Sequence, residues 1–261
     1  VLTYYETQTQ RLLQNPAATK ALYATSDLDS WINTARGQLA GETETIRAIG
    51  TLLTVPGTRS YPFSAIQFGG SPAQTGIQGT LNVRRVGQQI GVGPGLKFLF
   101  VRSWEWFDHY HLNSPNPQVG PPVRWAQFGQ GGSGTGSITG IGAGTAVLSG
   151  SLLIDPIPDI QYTLSVDCVC YPQALAVDTD IEAIPYLFTD AVPFFAAYYA
   201  LLSAQTNARL ADAERYFGHY ETFVERARKA TNSSVARTLF EQASDMSQAA
   251  KFGAQAKAAG A

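Results

Sequence analysis

Residues 180–230 read DIEAIPYLFTDAVPFFAAYYALLSAQTNARLADAERYFGHYETFVERARKA. A proline-punctuated start leads into Ala191 to Ala204, a run apolar on every side of a helix. The helical pattern then turns charged and keeps one apolar stripe, Leu210, Ala213, Phe217, Tyr220, Val224 and Ala227. Asp190 stands at the cap and puts Pro193 in the first turn, where its missing N–H costs nothing. Read as one long helix, the first half needs cover from all around, from the rest of the chain or from other copies. Phe195, Tyr199, Leu202, Leu210, Phe217 and Tyr220 are therefore the candidate intersubunit packing residues. The apolar run is shorter than the ~20 residues of a spanning helix, which argues for burial rather than a membrane anchor.

The same demand for partners shows in composition. Of 261 residues, 44% are hydrophobic and only 15% charged, against roughly 25% charged in an ordinary globular chain. The net charge is −2, so no basic footprint marks a nucleic-acid grip. Nothing at the N-terminus, VLTYYETQTQR, resembles a basic region followed by an apolar core. Cys168 and Cys170 lie two apart on a strand-like run and so share a face, which is poor geometry for a disulfide. They read as small buried hydrophobes.

Three zones follow along the chain. Residues 1–46 read helical: Tyr4 to Leu13, then a helix from Ser26-Asp27-Leu28-Asp29, a variant of the capping box, with Leu28, Trp31, Ile32, Ala35 and Leu39 at helical spacing. Residues 47–171 read as short strands separated by Gly and Pro, an antiparallel sandwich or barrel. Arg47 to Val55, Leu81 to Val86 and Leu96 to Phe107 are strand candidates. The clearest alternation is Ile160, Tyr162, Leu164, Val166, Cys168 and Cys170. Residues 172–230 are a linker and the long helix, and 231–261 a further helix and tail with Leu239, Phe240, Ala243, Met246 and Phe252 as its larger apolar residues. The fold expected is α+β: a bundle of N- and C-terminal helices with an inserted antiparallel β-domain.

Catalytic and metal-binding patterns are thin. Residues 129–144, GQGGSGTGSITGIGAG, hold eight glycines in sixteen. They lack the lysine and the strand-to-helix setting of a phosphate loop, so the segment reads as a contact loop centred on Gly131, Gly134, Ile138 and Ile141. His109 and His111 would share a strand face, but no third zinc ligand lies near. Trp104 and Trp106 would likewise share a strand face, beside Phe107 and Trp125, as core or as interface anchors. Glu105, Asp108, Asp155 and Asp159 supply carboxylates without a recognisable catalytic constellation. No cofactor and no metal are expected.

Three passages together resemble a known family: SDLDSWINTARGQLAGET (26–43), IRAIGTLLTVPGTRSYPF (46–63) and LLIDPIPDIQYTLSVDCVCYPQALAVDTDIEAIPYLFTDAVPFFAAYYALLSAQ (152–205). Their order is similar to that of tailed-phage head-to-tail adaptors of the podophage tail tubular A or gatekeeper type. The resemblance implies a ring, dodecameric in such relatives, below the portal and above the tail nozzle. DNA would cross its lumen without sequence-specific binding, and no membrane would be involved. It also implies that the C-terminal segment embraces the portal, which makes Leu239, Phe240, Ala243, Met246 and Phe252 the candidate portal-docking residues. Such a protein is a structural virion component at the head-tail junction, assembled in the host cytoplasm. The alternatives are another tail-completion or minor tail protein and, further off, a cell-wall hydrolase using Glu105 or Asp108.

Overall fold

The computed structural model describes residues 1–14, 22–90, 95–109, 117–129, 150–203 and 209–231. Two helices come first, α1 (Leu2–Leu12) and α2 (Thr25–Thr43), and a single turn, α3 (Pro72–Thr75), follows within the β-region. Helix α1 buries Leu2, Tyr5 and Thr9, and α2 buries Leu28, Ile32, Ala35 and Leu39, the stripe expected from its spacing. The start of α2 differs from the capping box: Ser26 lies inside the helix and the cap position is Ala24, without a side-chain cap bond. Backbone extended at residue 24 suffices to begin the helix, because tertiary packing rather than capping supplies most of a helix's stability.

The strands form two four-stranded sheets. One runs β1 (Arg47–Leu53), β8 (Thr163–Pro172), β3 (Ile77–Gln89), β4 (Leu96–Phe98). The other runs β2 (Ser60–Pro62), β7 (Ser151–Asp155), β6 (Arg124–Phe128), β5 (Phe100–Val101). Pairing is antiparallel except between β5 and β6. Among the described residues neither sheet closes on itself, and the two pack as a sandwich around a shared core. On β8, Leu164, Val166, Cys168 and Cys170 are buried, as the alternation requires, and Val169 is buried on the other face; Tyr162 and Ile160 precede the strand, the first half-buried and the second exposed. The long strand β3 slips register three times against β8, which bends it and increases its twist.

The expected strand from Leu96 to Phe107 is broken. It yields β4 and β5, then a single helical turn α4 (Trp104–Phe107) capped by Ser103, whose side chain accepts from the Trp106 N–H. Trp104 and Trp106 therefore do not sit on a strand face. They pack around a small cluster of Phe107, Ala126 and Leu153, while Trp125 belongs to the main core.

The C-terminal region departs most from expectation. Helix α5 (Ala191–Ser203) and a second helix α6 (residues 209–231) lie side by side. Phe195 meets Tyr220 at 4.4 Å between ring centroids, Phe194 meets His219 at 5.3 Å and Tyr198 meets Phe217 at 5.0 Å. One straight helix would hold residues 195 and 220 about 37 Å apart at 1.5 Å per residue. Contacts that fall in α6 as they rise in α5 make the pair antiparallel. Together with α1 and α2 they form the helical bundle, and its core runs without a break into the sheets through Leu52, Val86, Leu164 and Val166.

This hairpin corrects the expectation that α5 depends on neighbours. Ala191, Val192, Pro193, Phe195, Ala196, Ala197, Ala200 and Leu201 are all buried within the single chain. Its helices α1, α2 and α6 already provide the cover.

Candidate functional site

Between β8 and α5 the chain crosses the bundle as a connector, residues 173–190, fastened at several points. The Gln173 N–H donates to the Gly76 carbonyl at 2.7 Å. Gly76 has φ +66°, and a Cβ there would fall 2.5 Å from the Ile181 carbonyl oxygen, so only glycine admits this approach. Asn33 on α2 holds Leu175 in both directions: its amide donates to the Leu175 carbonyl at 3.0 Å, and its oxygen accepts the Leu175 N–H at 2.8 Å. Asp180 accepts the N–H groups of Val177 and Ala176, bonds that hold its carboxyl below the usual carboxylate range.

The strongest fastening is ionic. Arg36, 1% exposed, makes a fork to both oxygens of Glu182 at 3.0 and 2.8 Å, and donates to the Gln173 carbonyl at 2.6 Å. The Tyr5 hydroxyl donates to the same carboxylate at 2.7 Å. Burial and then the nearby Glu182 charge push the Tyr5 phenol well above its ordinary value, so it remains a donor. One buried pair thus ties α1, α2 and the connector together.

The outer side of the connector is apolar and acidic. Tyr186 is 88% exposed and Leu187 78% exposed on a 3-10 turn before α5. Tyr4 of α1 stands beside them, half-exposed, and donates to Asp190 at 3.0 Å; that bond is the main cause of its raised phenol. Residues 174–190 carry four acidic side chains and no basic one.

A second exposed apolar surface lies on the edge of the sandwich. Among the described residues, strands β4 and β5 end their respective sheets, so residues 96–101 form a shared edge. Leu96, Phe98, Phe100 and Val101 are all exposed there. Arg85 lies 3.8 Å over the Phe98 ring, and Arg102 and Arg124 lie 5.4 and 5.3 Å from the Trp106 ring. Between residues 84 and 102 there are four basic side chains and no acidic one. A cleft of about 780 Å³ opens separately along α2, beside Asn33, Gly37, Gly41 and Pro172. It has mixed lining and no cluster of catalytic groups.

The structure distributes the expected site residues unevenly. Phe195 and Tyr220 are consumed by packing within the chain; Tyr199, Leu202 and Phe217 are half-buried against the same core, and Leu210 is exposed. Leu239, Phe240, Ala243, Met246 and Phe252, and Gly131, Gly134, Ile138 and Ile141, lie outside the described residues, as does His111. Among the described residues no three His, Cys, Asp or Glu side chains group as metal ligands, and no helix is long and apolar enough to cross a membrane. Glu105 sits on α4 with its carboxyl lowered by its own backbone N–H and by Ser103, and Asp159 is lowered by the Tyr162 hydroxyl.

A family model described as SU10 adaptor protein matches residues 6–245. The chain belongs to that family. The match spans the helices at both ends and the sandwich between them, and it supports a structural adaptor of a tailed phage, a virion component at the head-tail junction that associates with portal and tail components. No curated protein matches this chain. The connector staple and the exposed edge escaped the sequence reading. Arg36 and Glu182 are 146 residues apart, with no local pattern to link them. The run LKFLFVR at 96–102 does hold a signal, apolar residues interleaved with cations, although period-two reading assigns half of them to a core.

Proposed function

We propose that copies of this chain close into a ring at the junction of portal and tail, through which DNA passes. The observation that carries this reading is the family match across residues 6–245. Low charge and two exposed apolar surfaces, the connector and the sandwich edge, support it further. A net charge of −2 suits passage rather than retention, because an inward array of lysine and arginine would hold DNA through its phosphates. Twelve copies, as in the gatekeeper-type adaptors the sequence resembles, is the stoichiometry to test.

In this reading the subunit acts as a spacer and symmetry adaptor. The rigid bundle and sandwich keep the ring's shape, while residues 232–261, with Leu239, Phe240, Ala243, Met246 and Phe252, engage the portal. The loop around Gly131, Gly134, Ile138 and Ile141 meets the nozzle or a neighbouring subunit. Negative-stain imaging of the purified chain with its portal tests the whole reading. A ring coaxial with the portal is expected, and a chain that neither forms rings nor binds the portal rejects it. Removing residues 232–261 should leave the melting transition in place and weaken portal capture by about tenfold or more, the equivalent of about 1.4 kcal/mol. Unchanged capture would dismiss the C-terminal docking role.

A further inference from the structure

We propose that the sandwich edge of one copy, β4 and β5 with Arg102, docks on the connector of the next copy around Tyr186 and Leu187. The proposal rests on the ring reading and names the two faces that would close it. A cyclic ring requires a heterologous contact, in which two different surfaces of the same chain meet. Among the exposed apolar surfaces of the described residues, two have matching character.

The edge offers Phe98, Phe100 and Val101, the last two 66% and 64% exposed, set among Arg85, Lys97 and Arg102. The connector offers Tyr4, Tyr186 and Leu187, set beside Asp178 and Asp190. Glu182 is already committed to Arg36 and Asp178 to the Val1 ammonium, so the carboxylate available to a neighbour is chiefly that of Asp190, which is exposed and takes only the Tyr4 hydroxyl on one oxygen. Each surface therefore has an aromatic centre and a charged surround, and the charges are opposite. Aromatic residues and arginine are the side chains most often found at the energetic centre of an interface. Opposite fields fix the register and speed the encounter.

The occupant of the edge is thus a second copy, because its complement lies elsewhere on the same chain. Two such edges do not suit each other, since both are basic. Two connectors do not either, since both are acidic. Edge on connector is the pairing that brings unlike charges together.

The test uses the full chain and two variants. The edge variant carries Phe100→Ser and Arg102→Glu; the connector variant carries Tyr186→Ser and Leu187→Ser. All four side chains are exposed, so circular dichroism and melting should match the unmodified chain. By sedimentation, each variant alone should self-associate roughly thirtyfold or more weakly, the effect of losing a hot-spot residue. An equimolar mixture should form a heterodimer and nothing larger, because one intact edge and one intact connector remain. Variants that assemble like the unmodified chain, or a mixture that stays monomeric, overturn the proposal while leaving the ring intact. An unmodified chain that stays monomeric even beside its portal overturns the ring reading instead. Loss of tail attachment with self-association unchanged assigns the edge to a tail component and also overturns the proposal. Should either variant fail to fold, Val101→Cys in one chain and Leu187→Cys in another provide a second measure. Oxidation should cross-link the two chains to each other, and absence of that product counts against the contact.

Discussion

At the residue scale, the pair Arg36–Glu182 has the largest leverage. Both groups have left water, and their attraction is repaid only while each keeps its partner. Arg36→Ala should destabilise the chain by about 3–5 kcal/mol, because it strands a buried carboxylate. Urea denaturation followed by circular dichroism measures the change; a loss under about 1 kcal/mol would mean water reaches Glu182 freely. The cysteines make a contrasting case. Burial pushes the thiols of Cys168 and Cys170 up to about 12, and both are free and wholly covered on β8. Thiolate is the reactive form, so a disulfide-exchange reagent at neutral pH should label neither in the native chain and both in denaturant. Their role as small hydrophobes was legible from spacing alone. The Arg36 pairing was not, because no periodicity links α2 to a connector so far along the chain.

At the element scale, the α5–α6 pair covers most of the apolar helix within the chain and leaves Phe194, Tyr198, Tyr199 and Leu202 half-buried. Phe195 lies between the rings of Tyr199, Phe217 and Tyr220, so Phe195→Ala should cost about 3–5 kcal/mol in subunit stability. Leu210→Ala, at an exposed site on α6, should change it by less than about 0.5 kcal/mol. Chemical denaturation of the two variants separates packing within the chain from packing between chains. Equal losses would show that the neighbours decide. The connector carries its own pH dependence. Asp180 is depressed chiefly by the Val177 N–H and then by the Ala176 N–H. A depressed carboxyl contributes stability above its unfolded value of about 3.9 and loses it as pH falls through the lower folded value. The melting temperature of Asp180→Asn should therefore lie below that of the unmodified chain at pH 7, with the gap closing as pH drops below 4. A gap that widens on acidification would contradict this sign.

At the scale of the whole molecule, one core links bundle and sandwich, so in the proposed ring the subunit would meet its neighbours as a rigid piece. Self-association driven partly by opposite charges should weaken as salt shortens the screening length from ≈ 10 Å at 0.1 M to 3 Å at 1 M. Sedimentation at the two ionic strengths reads this directly. Tighter association in high salt would point to a contact dominated by apolar area. The exposed residues at both faces, Phe100, Val101, Tyr186 and Leu187, belong to this scale, because their role is defined only by what a second molecule brings.

Local periodicity by itself determined the helix–sandwich–helix order, the buried faces of α2 and β8, and the burial of the cysteines. It also held the resemblance to head-to-tail adaptors, which the family match bears out in its broader form. Periodicity records which side of an element avoids water; it carries no information on what covers that side. What shelters much of the apolar run at 191–203 was therefore decided by the tertiary packing of α6, α1 and α2 against α5. The same long-range packing chose Glu182 as the partner of Arg36 and left the 96–101 edge and the 186–187 turn facing water.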